Sequence, residues 1–278
     1  MIIRAFPVFS PRPWGDFYLN ELFKVGAEEP IGEVWLLSDV SHLRSSFRSL
    51  DGEEITSKEL VRTTGLKLPR FPLLIKLIST TDWLSVQVHP DDDVARSLEG
   101  EPWGKNEGWL FLSDGEVSLG TVESEELEKS IQENRLESIL KTVHVHKHDF
   151  LYLPAGVLHA LGPNTRLIEI QQTSDLTYRI YDWGRGRELH IDKALKAVKK
   201  VETHPVPFNG HAETPYFTVE ELQYGEVKGF TVLIMENFST YIVPVDEIFQ
   251  VKEKCLVVRL GKWWYNNFEA VEEEEKGG

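Results

Sequence analysis

The stretch LSVQVHPDDD, residues 84–93, decides how the chain is read. Its first six residues alternate. On a strand, Leu84, Val86 and Val88 fall on one face, and Ser85, Gln87 and His89 fall on the other. Pro90 and the three aspartates stop the run. The question is whether Gln87 and His89 face water or converge on something.

Around this stretch the chain reads mainly as short strands. Expected strands are 33–38 (EVWLLS), 73–79 (LLIKLIS), 84–89, 107–112 (EGWLFL), 149–153 (DFLYL), 166–172 (RLIEIQQ) and 178–182 (YRIYD). They are rich in β-branched and aromatic residues and are bounded by Gly, Pro, Asp or Asn. Such a pattern implies a sandwich or barrel. Helices read as insertions. Residues 124–143 place Leu127, Ile131, Leu136, Ile139 and Leu140 near a 3.6-residue period, with Ser124 as the cap. Residues 190–201 form a second helix with Ala194, Leu195 and Val198 on one face. A short third follows Pro90, turning Val94, Ala95 and Leu98 inward. The segment 202–215 (ETHPVPFNGHAETP) lacks periodicity and marks a boundary. The expected division is 1–203, a larger domain with helical insertions, and 204–278, a small β domain. The tail EEEEKGG reads as mobile.

The formal charge is −15, from 45 acidic against 30 basic residues. Nucleic acid, which needs a positive surface, is excluded as a bulk partner. A small anion would need locally clustered Lys and Arg. The single cysteine, Cys255, leaves no internal disulfide to form and fits a reducing compartment. No apolar run reaches the roughly 20 residues a membrane helix needs. The N-terminus, MIIRAFPVFSPRPWG, lacks a signal-peptide core. A cytoplasmic protein, monomer or homodimer, is the expectation.

Four side chains distant in sequence can meet. Gln87 and His89 share a strand face. Glu107 opens a later strand after GKNE. His159 follows the tight turn LPAGVLHAL, 153–161. One amide oxygen, two imidazoles and a carboxylate form a mixed donor set for a divalent metal. Pro154, Gly156 and His159, preceded by a polar-x-His pair and a Glu, resemble the two-part metal motif of cupins. The departures from the general cupin form are Gln87 in place of the first His, the long stretch to Glu107, and His148 where many cupins have Gly.

Those departures are what type I mannose-6-phosphate isomerases show. LSVQVHPDD, GKNE, LPAGVLHAL and EIQQTSDLTYRIYDWGR together resemble that family. RPWG at 12–15, PRFPLLIKLI at 69–78 and ELHIDKAL at 188–195 also match it. The resemblance runs from about residue 11 to 196 and is much weaker over the last 70 or so residues. It implies a cupin jelly-roll barrel with helical insertions, plus a smaller, reduced C-terminal β unit. It implies one zinc ion held by Gln87, His89, Glu107 and His159; the donor types alone also accept Mn, Fe or Ni. It implies a sugar-phosphate substrate and interconversion of mannose 6-phosphate and fructose 6-phosphate through a cis-enediol. Arg179 matches the catalytic arginine, set to stabilise enediolate or phosphate oxygens. Lys105, two residues before Glu107, is read as a phosphate contact or an aid to proton movement. Glu169 is the acid–base carboxylate. Asp175 is expected to orient Arg179, Trp14 to wall the sugar, Ser85 to bond the phosphate, and Arg185, with Arg187, to add positive charge.

Two other readings stay open at this point: another metal-cupin enzyme such as an iron oxygenase, and a sugar-phosphate-binding cupin without turnover. His144, His146 and His148 alternate along one strand, but neighbours there stand about 7 Å apart, too far for one ion. They read as a polar outer face. His190 reads as a helix cap or packing residue, and His42, His204 and His211 belong to no constellation.

Overall fold

The computed structural model describes residues 1–271. The tail 272–278 lies outside the described residues. The seven expected strands form; 73–79, 149–153 and 166–172 keep their bounds, and the other four shift by one or two residues at an end. The run 84–89 shortens to Val86–Val88, yet Leu84, Ser85, Val88 and His89 are all buried. Both faces of this strand are covered, and on the polar face only Gln87 keeps partial exposure.

Two compact units emerge. One comprises Phe9–Val34 and Lys76–Pro207; the other comprises Met1–Val8, Trp35–Ile75 and Phe208 onward. The last crossing between the units falls at Pro207/Phe208, four residues beyond the expected boundary at 203/204. In the second unit the seven-stranded sheet runs His211–Glu213, Phe217–Leu222, Cys255–Leu260, Thr231–Met235, Thr240–Val243, Ile3–Phe6 and Ser46–Ser49. The C-terminal strands thus take in two strands from the N-terminal part of the chain. About 70 residues form only a marginal core alone, and the added strands widen the buried face.

A two-sheet sandwich is built mainly from residues of the first unit. The larger sheet orders Val206–Pro207, Asp149–Leu153, Glu107–Phe111, Arg166–Gln172, Leu73–Ser79, Ile31–Leu37 and Val8–Asp16. The smaller orders Tyr178–Tyr181, Val86–Val88, Leu158–Leu161, Gly115–Gly120 and Lys141–Val145. Trp14, Ile78, Trp109, Phe111, Leu151, Leu153 and Leu167 of the larger sheet meet Val117, Leu119, Val145 and Leu161 of the smaller in one buried cluster. Sheets facing across side chains in this way form a sandwich core. Both sheets are open in their strand order among the described residues. The expected jelly roll is therefore present as two open sheets facing each other.

The outer face of the smaller sheet packs against helices through Val86, Val88, Leu127, Leu158, Ala160, Tyr178, Ile180, Ala194 and Ala197. The helix expected over 124–143 stops early. It spans Ser124–Gln132, and Asn134 follows at φ 50°; a 3-10 turn (Leu136–Ile139) and the edge strand Lys141–Val145 take the rest. Ser124 does not cap this helix, because its hydroxyl donates to the Leu195 carbonyl. The other two expected helices form as Ile191–Ala197 and Asp92–Glu99. The second is capped by Asp91, whose carboxylate accepts from the Val94 N–H, and it ends at Gly100 with φ 68°.

Candidate active site

Local backbone chemistry brings the distant ligands together. After His89, the capped helix sends the chain back past Pro90. The Lys105 N–H donates to the Pro90 carbonyl at 3.0 Å, and the Gly104 N–H to Asp92 Oδ1 at 2.8 Å. A Cβ on Gly104 would stand 2.3 Å from the Pro90 carbonyl oxygen, so only glycine permits this approach. Glu107 then enters its strand facing His89. The Pro154–His159 turn is tied to the same place: Gly156, at φ 97°, donates its N–H to the His89 carbonyl. On the smaller sheet, His159 and Arg179 lie opposite Gln87 on its two neighbouring strands. The row Arg179–Gln87–His159 follows from strand register.

His89, Glu107 and His159 are 2 %, 0 % and 1 % exposed, and their ligand atoms all lie within 4.8 Å of one another. His89 Nε2 is 3.3 Å from Glu107 Oε1, and His159 Nε2 is 3.8 Å from Oε2. Each imidazole places Nδ1 against a backbone carbonyl, Leu176 at 2.8 Å and Val157 at 2.9 Å. That assigns the ring proton to Nδ1 and turns the Nε2 lone pair toward Glu107. The Lys105 ammonium lies 2.8 Å from Glu107 Oε1 and 3.4 Å from His89 Nε2.

The donor set fits a divalent cation. Ligands about 2.1 Å from a tetrahedral ion stand roughly 3.4 Å apart, close to the separations seen. Burial would raise the Glu107 carboxyl, yet Lys105 and the two histidines hold it well below the usual range. Burial pushes His159 down to about 4 and also lowers His89, which Lys105 lowers further. Both rings are neutral at neutral pH, as metal ligation needs. Gln87 differs from the other three. Its amide nitrogen faces His159 Nε2 at 3.4 Å, and its oxygen accepts from Ser85 Oγ at 3.1 Å. Ligation through the oxygen would require the amide to turn over.

Gln87 and Lys105 form part of the wall of a cavity of about 390 Å³, with the His–Glu–His cluster behind them. The wall carries six basic side chains (Arg12, Lys76, Lys105, Arg179, Arg187, Lys193) against four acidic ones (Glu33, Glu99, Glu169, Asp175). A protein of strongly negative total charge thus keeps a locally cationic cavity. Trp14 and Ser85, both 2 % exposed, lie on this wall. Glu169 lies there too. Its Oε1 accepts from Lys76 Nζ at 2.9 Å and its Oε2 from Trp109 Nε1 at 3.0 Å. Burial and the charge of Glu107 raise the Glu169 carboxyl, against the pull of Lys76. Lys76 is raised despite its burial, because Glu169 and Glu33 face it.

Arg179 donates to the Glu188 carbonyl at 2.9 Å, and its buried Nε has no hydrogen-bond partner. The expected bond from Asp175 is not the one that anchors it; Asp175 sits on the same wall and acts by charge on Arg12 and Lys76. Arg185 is not part of the wall. It is tied to Asp182 and to the Trp83 carbonyl. His144 and His146 lie on the exposed face, each beside a carboxylate, and His148 leaves the strand at φ 70°.

Five charged cavity groups were not singled out in the sequence: Arg12, Glu33, Lys76, Glu99 and Lys193. Lys76 had a signal, a lone lysine inside the apolar run LLIKLIS, where a buried charge must be paired. Arg12 and Glu33, bonded at 2.8 Å, carried none. His190, expected as a cap or packing residue, stands at the helix N-cap without a side-chain cap bond and lines the cavity.

A model of the phosphomannose isomerase type I catalytic domain matches residues 16–104. The chain is 36% identical over 265 residues to a protein named probable mannose-6-phosphate isomerase GmuF of Bacillus subtilis, covering 85% of this chain and 82% of that one. It belongs to the mannose-6-phosphate isomerase family. A second member, the mannose-6-phosphate isomerase of Streptococcus mutans, is 33% identical over 243 residues, covering 77% of each chain. Among solved structures, the mannose 6-phosphate isomerase of Bacillus subtilis superposes with a TM-score of 0.77 at 27% identity, covering 92% of this chain and 98% of that one. The family membership and the metal-ready cluster agree with each other. Among the described residues no helix is long and apolar enough to cross a membrane.

Proposed function

We propose that this chain interconverts mannose 6-phosphate and fructose 6-phosphate by moving a proton between C1 and C2 through a cis-enediol. The observation that carries the reading is one basic cavity whose wall includes the buried Glu169–Lys76 pair, together with Gln87 and Lys105, which touch the His89–Glu107–His159 donor set behind them. The donor set is suited to an electrophile and the buried pair to proton transfer.

Glu169 is the proton carrier. A carboxyl raised toward neutral pH both takes and returns a proton more readily than an exposed one. Lys76 and Trp109 hold its two oxygens in place. Arg179 presents a guanidinium with no carboxylate within ion-pair distance among the described residues, so its charge is available to oxygens that become anionic. Ser85, Lys105 and Arg187 offer further donors for the phosphate. Trp14 gives the sugar an apolar wall and keeps water from the enediol. His89, Glu107 and His159 would hold one divalent ion, zinc by the family resemblance, with Gln87 as fourth ligand after its amide turns. Such an ion supplies Lewis-acid stabilisation of the sugar oxygens. A cytoplasmic location accords with the free, buried Cys255.

The test is a coupled assay on mannose 6-phosphate, before and after chelation and after adding back zinc. Turnover that chelation abolishes and zinc restores is the expected result. Binding of the sugar phosphate with no turnover under any metal would sink the reading in favour of a binding protein.

A further inference from the structure

His190 does two things that no assignment above gives it. It clasps the backbone of Arg179 from both sides: the His190 N–H donates to the Arg179 carbonyl at 2.7 Å, and the Arg179 N–H donates to His190 Nδ1 at 3.2 Å. Because Nδ1 accepts a hydrogen bond, it carries no proton, and the neutral ring must carry its proton on Nε2. That Nε2–H has no protein acceptor among the described residues. The ring is part of the cavity wall, half-buried, on the same side as Arg179. A donor with no protein acceptor, beside a guanidinium with no carboxylate within ion-pair distance among the described residues, forms a paired site for an anionic oxygen.

We propose that His190 is a substrate-binding residue. In this assignment Nε2–H donates to an oxygen of the bound sugar phosphate next to the Arg179 guanidinium, while Nδ1 holds the Arg179 backbone in place. The inference rests on the isomerase reading for the identity of the ligand, and on geometry alone for the two roles of the ring. Burial and the adjacent Arg179 charge both lower the proton affinity of His190, in keeping with a neutral ring. Loss of the ring would remove a substrate contact and loosen Arg179 together. Loss of Nε2 alone would remove only the contact.

Two substitutions separate these roles. Asn places its amide oxygen where Nδ1 stands and offers nothing at Nε2. Phe offers neither. In the metal-loaded full-length enzyme, His190→Asn should raise KM for mannose 6-phosphate about ten-fold, as expected for losing one hydrogen bond to a charged oxygen. Its kcat should stay within about two-fold of the unsubstituted enzyme, because Arg179 keeps its acceptor. His190→Phe should show the same rise in KM and, in addition, a kcat lower by about ten-fold or more. Unchanged metal content and thermal midpoint in both variants exclude a folding effect. An unchanged KM in His190→Asn would overturn the contact, and equal losses of kcat in the two variants would overturn the clasp. Should the unsubstituted enzyme fail to turn over mannose 6-phosphate, the isomerase reading falls. Inorganic phosphate binding by calorimetry then decides the contact: about ten-fold weaker in His190→Asn supports it, and equal affinity overturns it.

Discussion

The two compact units are both built from β-sheets, but their interiors differ in kind. The unit with strands 217–222, 231–235, 240–243 and 255–260 has a core of Val227, Leu233, Met235, Val243, Val251, Cys255 and Val257. The other unit buries Lys76, His89, Lys105, Glu107, His159 and Glu169, each 4 % exposed or less. An aliphatic interior gains stability with every methylene it covers. A buried ion costs several kcal/mol before any partner offsets it. A fold keeps such a set only where something other than stability selects it, so the contrast separates a unit that holds structure from one that holds chemistry.

The hardest blow to this contrast is His159→Ala. Metal content by elemental analysis should fall below stoichiometric, and turnover should drop by at least about 10³-fold, since a bound ion supplies several kcal/mol of charge stabilisation. Arg179→Ala sharpens the division inside the active unit. It should keep its metal and still lose about 10²–10³-fold in kcat, as for removing one preorganised donor. Equal metal loss in both variants would contradict the separate roles assigned to them.

Acidity probes the cost of the polar interior. In the metal-free protein, folded His159 titrates near 4, below the ordinary histidine value of 6.5. Between these values the unfolded chain binds a proton that the folded chain refuses. Stability to urea should therefore fall as pH is lowered through that window, on the order of 1–3 kcal/mol, and level off below it. His159→Ala should flatten this part of the profile. The smallest effect belongs to the aliphatic unit. Ile242→Val, at a fully buried position, should cost about 0.5–1.5 kcal/mol of stability and leave kcat per folded molecule unchanged. A drop in kcat there would show that the two interiors are not functionally separate.

Most of the strands were legible because their runs of β-branched and aromatic residues are bounded by turn residues, as at 73–79 and 149–153. The helix over 124–143 was misjudged because apolar spacing in 136–140 suits a helix, a 3-10 turn and a lead-in to a strand alike. Lys76 escaped notice because its strand is buried on both faces, which erases the alternation that makes Gln87 and His89 visible. His190 escaped because its neighbours in sequence explain it adequately as a helix-end residue. Its contact with Arg179 spans eleven residues, a distance over which no local periodicity reports.

Residue types and their order along the chain were sufficient to point to the β-rich class, the His89–Glu107–His159 cluster and the kinship with mannose-6-phosphate isomerases. These depend on period-two alternation, turn chemistry and motif order, all of which are local. The open sandwich, the recruitment of Ile3–Phe6 and Ser46–Ser49 into the C-terminal sheet, the Lys76–Glu169 pair and the clasp on Arg179 were decided only by the folded structure. Each of them joins groups whose meeting is set by strand order and close packing, and neither is encoded in any short stretch of the chain.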